Sequence, residues 1–282
     1  MPKIKDEQGS VMAEPMNEEL RRVIESDMAK WVRERIETLP EKARYRAYNA
    51  VRCLVWAGGI ATLEDTKYRE GERGYRVPAT FMLTHALEEA VTALVMSAKA
   101  SGYGRLAKKV NITDHYHKTT LSWLCAEVVH MLEESRPALS FDSENDQIVL
   151  RVEQDGEKVY QVATLGLLGA RAPDGTALES LADTIIERHG GEEEVAKIVK
   201  DNGTGRNKLM YATDTGFLTG PPDLEYNLRK MAQTTMGVLW AAVDIAERKD
   251  ERAQIMELIL RTTVELKNVA FPPEKRCRVE AK

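Results

Sequence analysis

Residues 78–99 read PATFMLTHALEEAVTALVMSAK, and the fold class turns on them. Pro78 stands where a helix would begin, and Leu83, Leu87, Ala90 and Leu94 recur at intervals of three and four, so the segment predicts a helix with an apolar stripe. His85, Glu88, Glu89 and Thr92 fall beside that stripe and form a polar one. A solvated face with a Glu–His contact accounts for these four as simply as chemistry does. Chemistry would need a second helix to face them.

The same periodicity recurs outward in both directions. Asn17-Glu18-Glu19-Leu20 opens a charged amphipathic segment that runs to about Thr38 and stops at Pro40. From Lys42 to Asp65, Ala43, Ala47, Ala50, Val51, Leu54 and Val55 predict a helix whose small residues permit close packing, with Gly58-Gly59 as a point of weakness. After Gly102-Tyr103-Gly104, Asn111 or Thr113 can cap a helix carrying Leu121, Leu124, Cys125, Val128 and Leu132. The texture changes at Asp146: Ile148, Leu150 and Val152 alternate, Asp155-Gly156 supplies a turn, and 159–162 return as a second strand. Two short helices follow, 178–189 and 192–200, then a Gly203-Thr204-Gly205 loop, and two long helical patterns fill 223–248 and 250–268.

The expected architecture is therefore mainly α, a helical bundle with a small β-hairpin insertion at about 147–163. Residues 1–16 read as a flexible arm, 17–270 as one domain and 271–282 as a frayed tail. An apolar fraction of 43% with 30% charge is ordinary for a globular chain, and a net charge of −5 argues against a broad electrostatic grip on nucleic acid. Phosphate binding would have to rest on a local cationic site. Cys53, Cys125 and Cys277 are far apart and lack C-x-x-C spacing, which fits reduced thiols in a cytoplasm better than a disulfide scaffold. No signal-like apolar region follows the N-terminus, and no apolar run is long enough to span a bilayer.

Chemistry concentrates in two places. Arg206-Asn207-Lys208-Leu209-Met210-Tyr211 sets a permanent cation, an amide and a phenol at helical spacing, so Arg206 and Tyr211 can flank one small anionic group such as a phosphodiester. Arg206 would stabilise charge that develops on phosphorus oxygens, Asn207 would position the guanidinium or a ribose hydroxyl, and Tyr211 would donate a hydrogen bond or stack on a base. A pairing of Arg206 with Asp214, with Tyr211 as a core residue, explains the same letters equally well. The second place is Asp114-His115-Tyr116-His117-Lys118, which offers Asp114 and Lys118 four apart and His115 and Lys118 three apart; Asp114 also reads as a plain helix cap. His85, Glu88, Glu89, His115 and His117 are donor types a metal accepts, and a metal-dependent helical hydrolase on His85, Glu88 and the Asp114-His115 pair is a third reading, but the repeated Glu-x-x-His signature of bundle di-metal sites is missing, so no metal is assigned.

In order and spacing, several segments resemble the AbiV-type abortive infection proteins of the HEPN superfamily. They are Tyr48-Asn49-Ala50 with Ala57, the 85–90 segment HALEEA, the 114–118 segment DHYHK, and 206–214 with Pro221-Pro222 behind it, together spanning about residues 45–225. The resemblance implies an all-helical, cytoplasmic antiphage effector that acts on RNA as a symmetric dimer, without cofactor or metal, by attack of the 2′-hydroxyl on its own phosphate to leave a cyclic phosphate. It places Arg206, Asn207 and Tyr211 on the catalytic pattern, where Tyr211 stands in the position usually held by His, and Thr92 in the position of a Lys that usually follows the paired glutamates. His115 is then the best candidate for the imidazole, with Lys118, Glu89 and Asp114 lining the cleft toward substrate. The expected partners are RNA, a second copy of the chain and a phage-encoded activator. The alternative is a binding module that holds RNA or a phage protein without cutting.

Overall fold

The computed structural model describes residues 16–62, 76–134, 138–154, 157–172, 174–210 and 223–272. The expected arm, the hairpin turn at Asp155-Gly156, and the Tyr211–Asp214 and Pro221-Pro222 pieces all lie outside them, as does most of the expected tail.

The chain is mainly helical. What reads as one N-terminal segment is two helices, α1 (Glu18–Ile24) and α2 (Asp27–Arg35). Ser26 separates them: its Oγ donates to the Val23 carbonyl at 2.8 Å and accepts the Ala29 amide at 3.2 Å, which ends one helix and caps the next. α3 (Glu41–Ile60) starts after Pro40 and runs straight through Gly58-Gly59. At Gly58 the missing side chain is what lets α1 cross, because a Cβ there would lie 2.7 Å from Leu20 Cδ2 and from Met16 Cγ. The Gly58 carbonyl also accepts the Asn17 amide at 3.1 Å.

α4 (Arg76–Ala100) is the central helix. Apolar residues occupy nearly every face of its second half, from Ala86 through Ala98, and they are buried because α3 and α9 (Leu224–Glu247) pack along it while α6 (His115–Glu134) and α8 (Glu192–Met210) reach it elsewhere. The short α5 (Gly104–Ala107) turns the chain toward α6. α7 (Ala182–Arg188) leads into α8, and α10 (Gln254–Ala270) covers α6 and α8. α1 also rests on α9, so the first and ninth helices are neighbours.

The expected hairpin is present as β2 (Gln147–Gln154) and β3 (Glu157–Val162), and β1 (Ala138–Asp142) adds a third strand to make an antiparallel meander in the order β1-β2-β3. Asp142 pairs with Gln147 across the first turn, where Asp146 takes φ 50°, a left-handed conformation that Asp tolerates. The sheet is tied to the helices through that turn. The Trp31 indole donates to the Asp146 carbonyl at 2.8 Å and Arg35 Nη2 to its carboxylate at 2.9 Å. Beyond β3, the buried Asp244 carboxylate of α9 accepts the Leu165 amide at 2.9 Å. Among the described residues no helix is long and apolar enough to cross a membrane.

Candidate functional site

The two motif helices meet. Glu88 lies on the buried side of α4, its side chain 1% exposed, and α6 brings two cationic or basic groups to it from the first turn: His115 Nδ1 at 3.6 Å from Oε1 and Lys118 Nζ at 3.5 Å from Oε2. His115 and Lys118 are one helical turn apart, so both can address one carboxylate on a neighbouring helix. These are ion-pair separations, longer than good hydrogen bonds. With Nδ1 turned toward a carboxylate, the tautomer that carries its proton there is favoured, which leaves Nε2 as the basic nitrogen. That Nε2 is buried and has no hydrogen-bond partner.

Glu89 faces elsewhere. Arg46 of α3 reaches both its oxygens through Nη1, at 3.0 and 3.1 Å, so the glutamate assigned from sequence to the cleft is bound to a cation 43 positions earlier, and Glu88 takes the place beside His115 and Lys118. Adjacent helix residues point about 100° apart, so two neighbouring glutamates can serve α3 and α6 separately. Arg46 was not singled out in the sequence, because nothing within its own helix marks its partner.

Asp114 behaves as the cap. Its Oδ1 accepts the Tyr116 amide at 2.9 Å and its Oδ2 lies 2.8 Å from His117 Nδ1. Desolvation pushes the Asp114 carboxyl up, but the hydrogen bonds from His117 and the Tyr116 amide outweigh it and hold the group below its ordinary value. His117 is consequently occupied at the helix start. His85 stacks on Phe81, with ring centroids 6.3 Å apart. Among the described residues no group of three or more His, Cys, Asp or Glu side chains gathers as a metal would require.

The second motif is carried to the same region by α8. The expected Gly203-Thr204-Gly205 loop is part of that helix, which continues to Met210. Gly203 sits against the ring of Tyr116: a Cβ at this position would lie 2.3 Å from Tyr116 Cδ1 and Cε1. Tyr116 in turn packs on Phe271 at the end of α10, ring centroids 4.5 Å apart. The glycine therefore marks a crossing of two helices, and the Thr204 hydroxyl satisfies itself on the Lys200 and Asp201 carbonyls, both at 3.2 Å. Arg206 and Asn207 follow Gly203 by three and four positions in the same helix. Their side chains, like Tyr211, are not among the described parts.

The arrangement is a buried carboxylate that addresses an imidazole and a lysine at the start of one helix, with α8 crossing beside that helix start at Gly203. Groups of this kind can move a proton and hold an anion. Comparison of the chain with protein-family models, with curated proteins and with solved structures gave no match.

Proposed function

We propose that this protein is an antiphage abortive-infection effector of HEPN type that acts on RNA from a site made by His115, Lys118 and Glu88 together with Arg206 and Asn207. The observation that supports this most directly is the meeting of Glu88 with His115 and Lys118 across α4 and α6. In this reading Glu88 holds the imidazole through Nδ1, His115 Nε2, buried in the free chain, takes the proton of a ribose 2′-hydroxyl once RNA docking uncovers it, and Lys118 and Arg206 stabilise the charge that develops on the phosphate. The products are a 2′,3′-cyclic phosphate and a free 5′-hydroxyl, with no metal in the step. Arg46 and Glu89 would brace the α3 side of the same helix, and Asp114 would fix the start of α6.

Tyr211 favours a second reading. A phenol has a reference pKa of about 10 and is a poor base at neutral pH, so a chain with Tyr at this position is also suited to binding RNA without cutting it. The two readings separate in one experiment. Wild type, His115→Ala and Arg206→Ala are compared for phage plating, for integrity of cellular RNA during infection, and for cleavage and retention of a labelled RNA in vitro. The nuclease reading expects cyclic-phosphate ends from wild type and a loss of about 100-fold or more in both variants. Retention without cleavage, lost only in Arg206→Ala, selects the binding module. Undiminished protection by both folded variants sinks the RNA site altogether.

A further inference from the structure

A cavity of about 660 Å³ lies far from the Glu88 cluster, between α1, α2, the sheet, α9 and the end of α6. Its α6 wall is formed by Val129 and Leu132, roughly 21 and 26 Å along that helix from His115. The volume is in the range that encloses a small organic molecule. The walls are apolar, with Met28 and Val32 from α2, Leu132 from α6, Leu150 from β2 and Met236 and Trp240 from α9.

The rim is not apolar. Arg22 of α1 and Arg229 of α9 both line the cavity, and Glu19 stands between them, taking Arg22 Nη1 at 3.1 Å and Arg229 Nη1 at 3.4 Å. Arg22 also reaches Glu18, 3.2 Å away, and Arg21 is 3.6 Å from the same Glu18. Among the residues that line the cavity, two guanidiniums against one carboxylate leave one positive charge in excess at the mouth of an apolar chamber.

Gly237 lines the cavity in the middle of α9, and a Cβ added there would meet no atom within 4 Å, so a larger side chain at this position would project into the chamber. We infer that the cavity binds a small amphiphile with an apolar body and a single anionic head, the body against Met236, Trp240 and Leu150 and the head displacing the Glu19 carboxylate from Arg22 and Arg229. Guanidinium forks match a carboxylate or phosphate head, and a cationic head would meet the wrong charge.

The test uses the full chain and direct binding by equilibrium dialysis, with dodecanoate, dodecanol and dodecylamine below their micelle concentrations. Wild type is expected to bind one equivalent of dodecanoate, and dodecanol and dodecylamine about tenfold more weakly or worse. Gly237→Phe fills the chamber and is expected to abolish binding, with circular dichroism and a cooperative melt confirming the fold. The surface variant R22A/R229A is expected to weaken dodecanoate about tenfold and leave dodecanol unchanged; it carries the test if Gly237→Phe does not fold. Absence of saturable binding, or binding undiminished in folded Gly237→Phe, overturns the cavity site. Equal affinity for dodecanol and dodecanoate overturns the anionic head. Co-sedimentation with phosphatidylglycerol vesicles without uptake of free dodecanoate would place the chemistry on the surface and also overturn the inference. None of these outcomes depends on RNA cleavage.

Discussion

Glu88 and Glu89 are neighbours in the chain and answer to different helices, one to His115 and Lys118 of α6 and the other to Arg46 of α3. A buried carboxylate left without its cation is costly, which makes the pair a fixed point for how three helices sit together. Asp114 fixes the start of α6 by a different route. Its folded pKa lies below the ordinary value of 3.8, so the charged carboxylate stabilises the fold above the unfolded pKa, and that contribution is lost as pH falls through the folded one. Asp244 works in the opposite sense: desolvation by burial raises its pKa, and its contribution is present in acid and fades as pH climbs through the folded value. Asp114→Asn is therefore expected to lose about 1 kcal/mol at neutral pH and almost nothing in strong acid. Urea unfolding midpoints of wild type and variant should converge as pH is lowered below the carboxylate range. Parallel curves would show that the carboxylate charge is not what holds the cap.

Among the elements, α8 is the clearest case of a tertiary contact overriding local preference. Gly203 and Gly205 each cost about 1 kcal/mol against alanine in a helix interior, and the sequence alone gives them as a loop. The helix persists because Gly203 is where the Tyr116 ring packs. Gly203→Leu is expected to destabilise the protein by about 3 kcal/mol, and Tyr116→Ala to relieve much of that loss in the double variant. A double-mutant cycle in urea reads the coupling, and additive single effects would mean that the two helices do not meet there.

The same comparison shows what the letters can carry. The long helices α3, α4, α6, α9 and α10 are legible because apolar residues at three and four recur over many turns, a signal that needs no distant partner. The split between α1 and α2 rests on one serine hydroxyl, and β1 rests on five residues after a proline with only Leu139 and Phe141 alternating toward one side, too little to separate from a connecting loop. At the site, the meeting of the His85–Thr92 stripe helix with the 114–118 segment was readable as donor types on two helices. Which glutamate faces His115 was not, since it depends on the rotation of α4 about its axis. Arg46 was invisible for the same reason.

For the molecule as a whole, burial sets what reagents can reach. Cys125 lies in the packed interior of α6, where desolvation pushes its thiol up to about 12, and Cys53 on α3 is also raised, first by burial and then by the nearby Glu89 charge. Neither is a thiolate at neutral pH. Iodoacetamide with peptide mapping is expected to leave both unmodified in the native protein and to label both in urea. Rapid native labelling of Cys125 would contradict the packing of α6 against its neighbours.

The position of α9 has a consequence in time. α4 is packed along α9, and α1 rests on it too, although some 200 residues separate α1 from α9. A ribosome that has made only the first eight helices has made a chain whose central helix still shows water the Ala and Leu face meant for the ninth, and whose first helix lacks its larger seat. Folding of this core is thus deferred until α9 has been made. A product cut short before residue 224 would carry that bare face as a mark of incompleteness, legible to the cell's proteases.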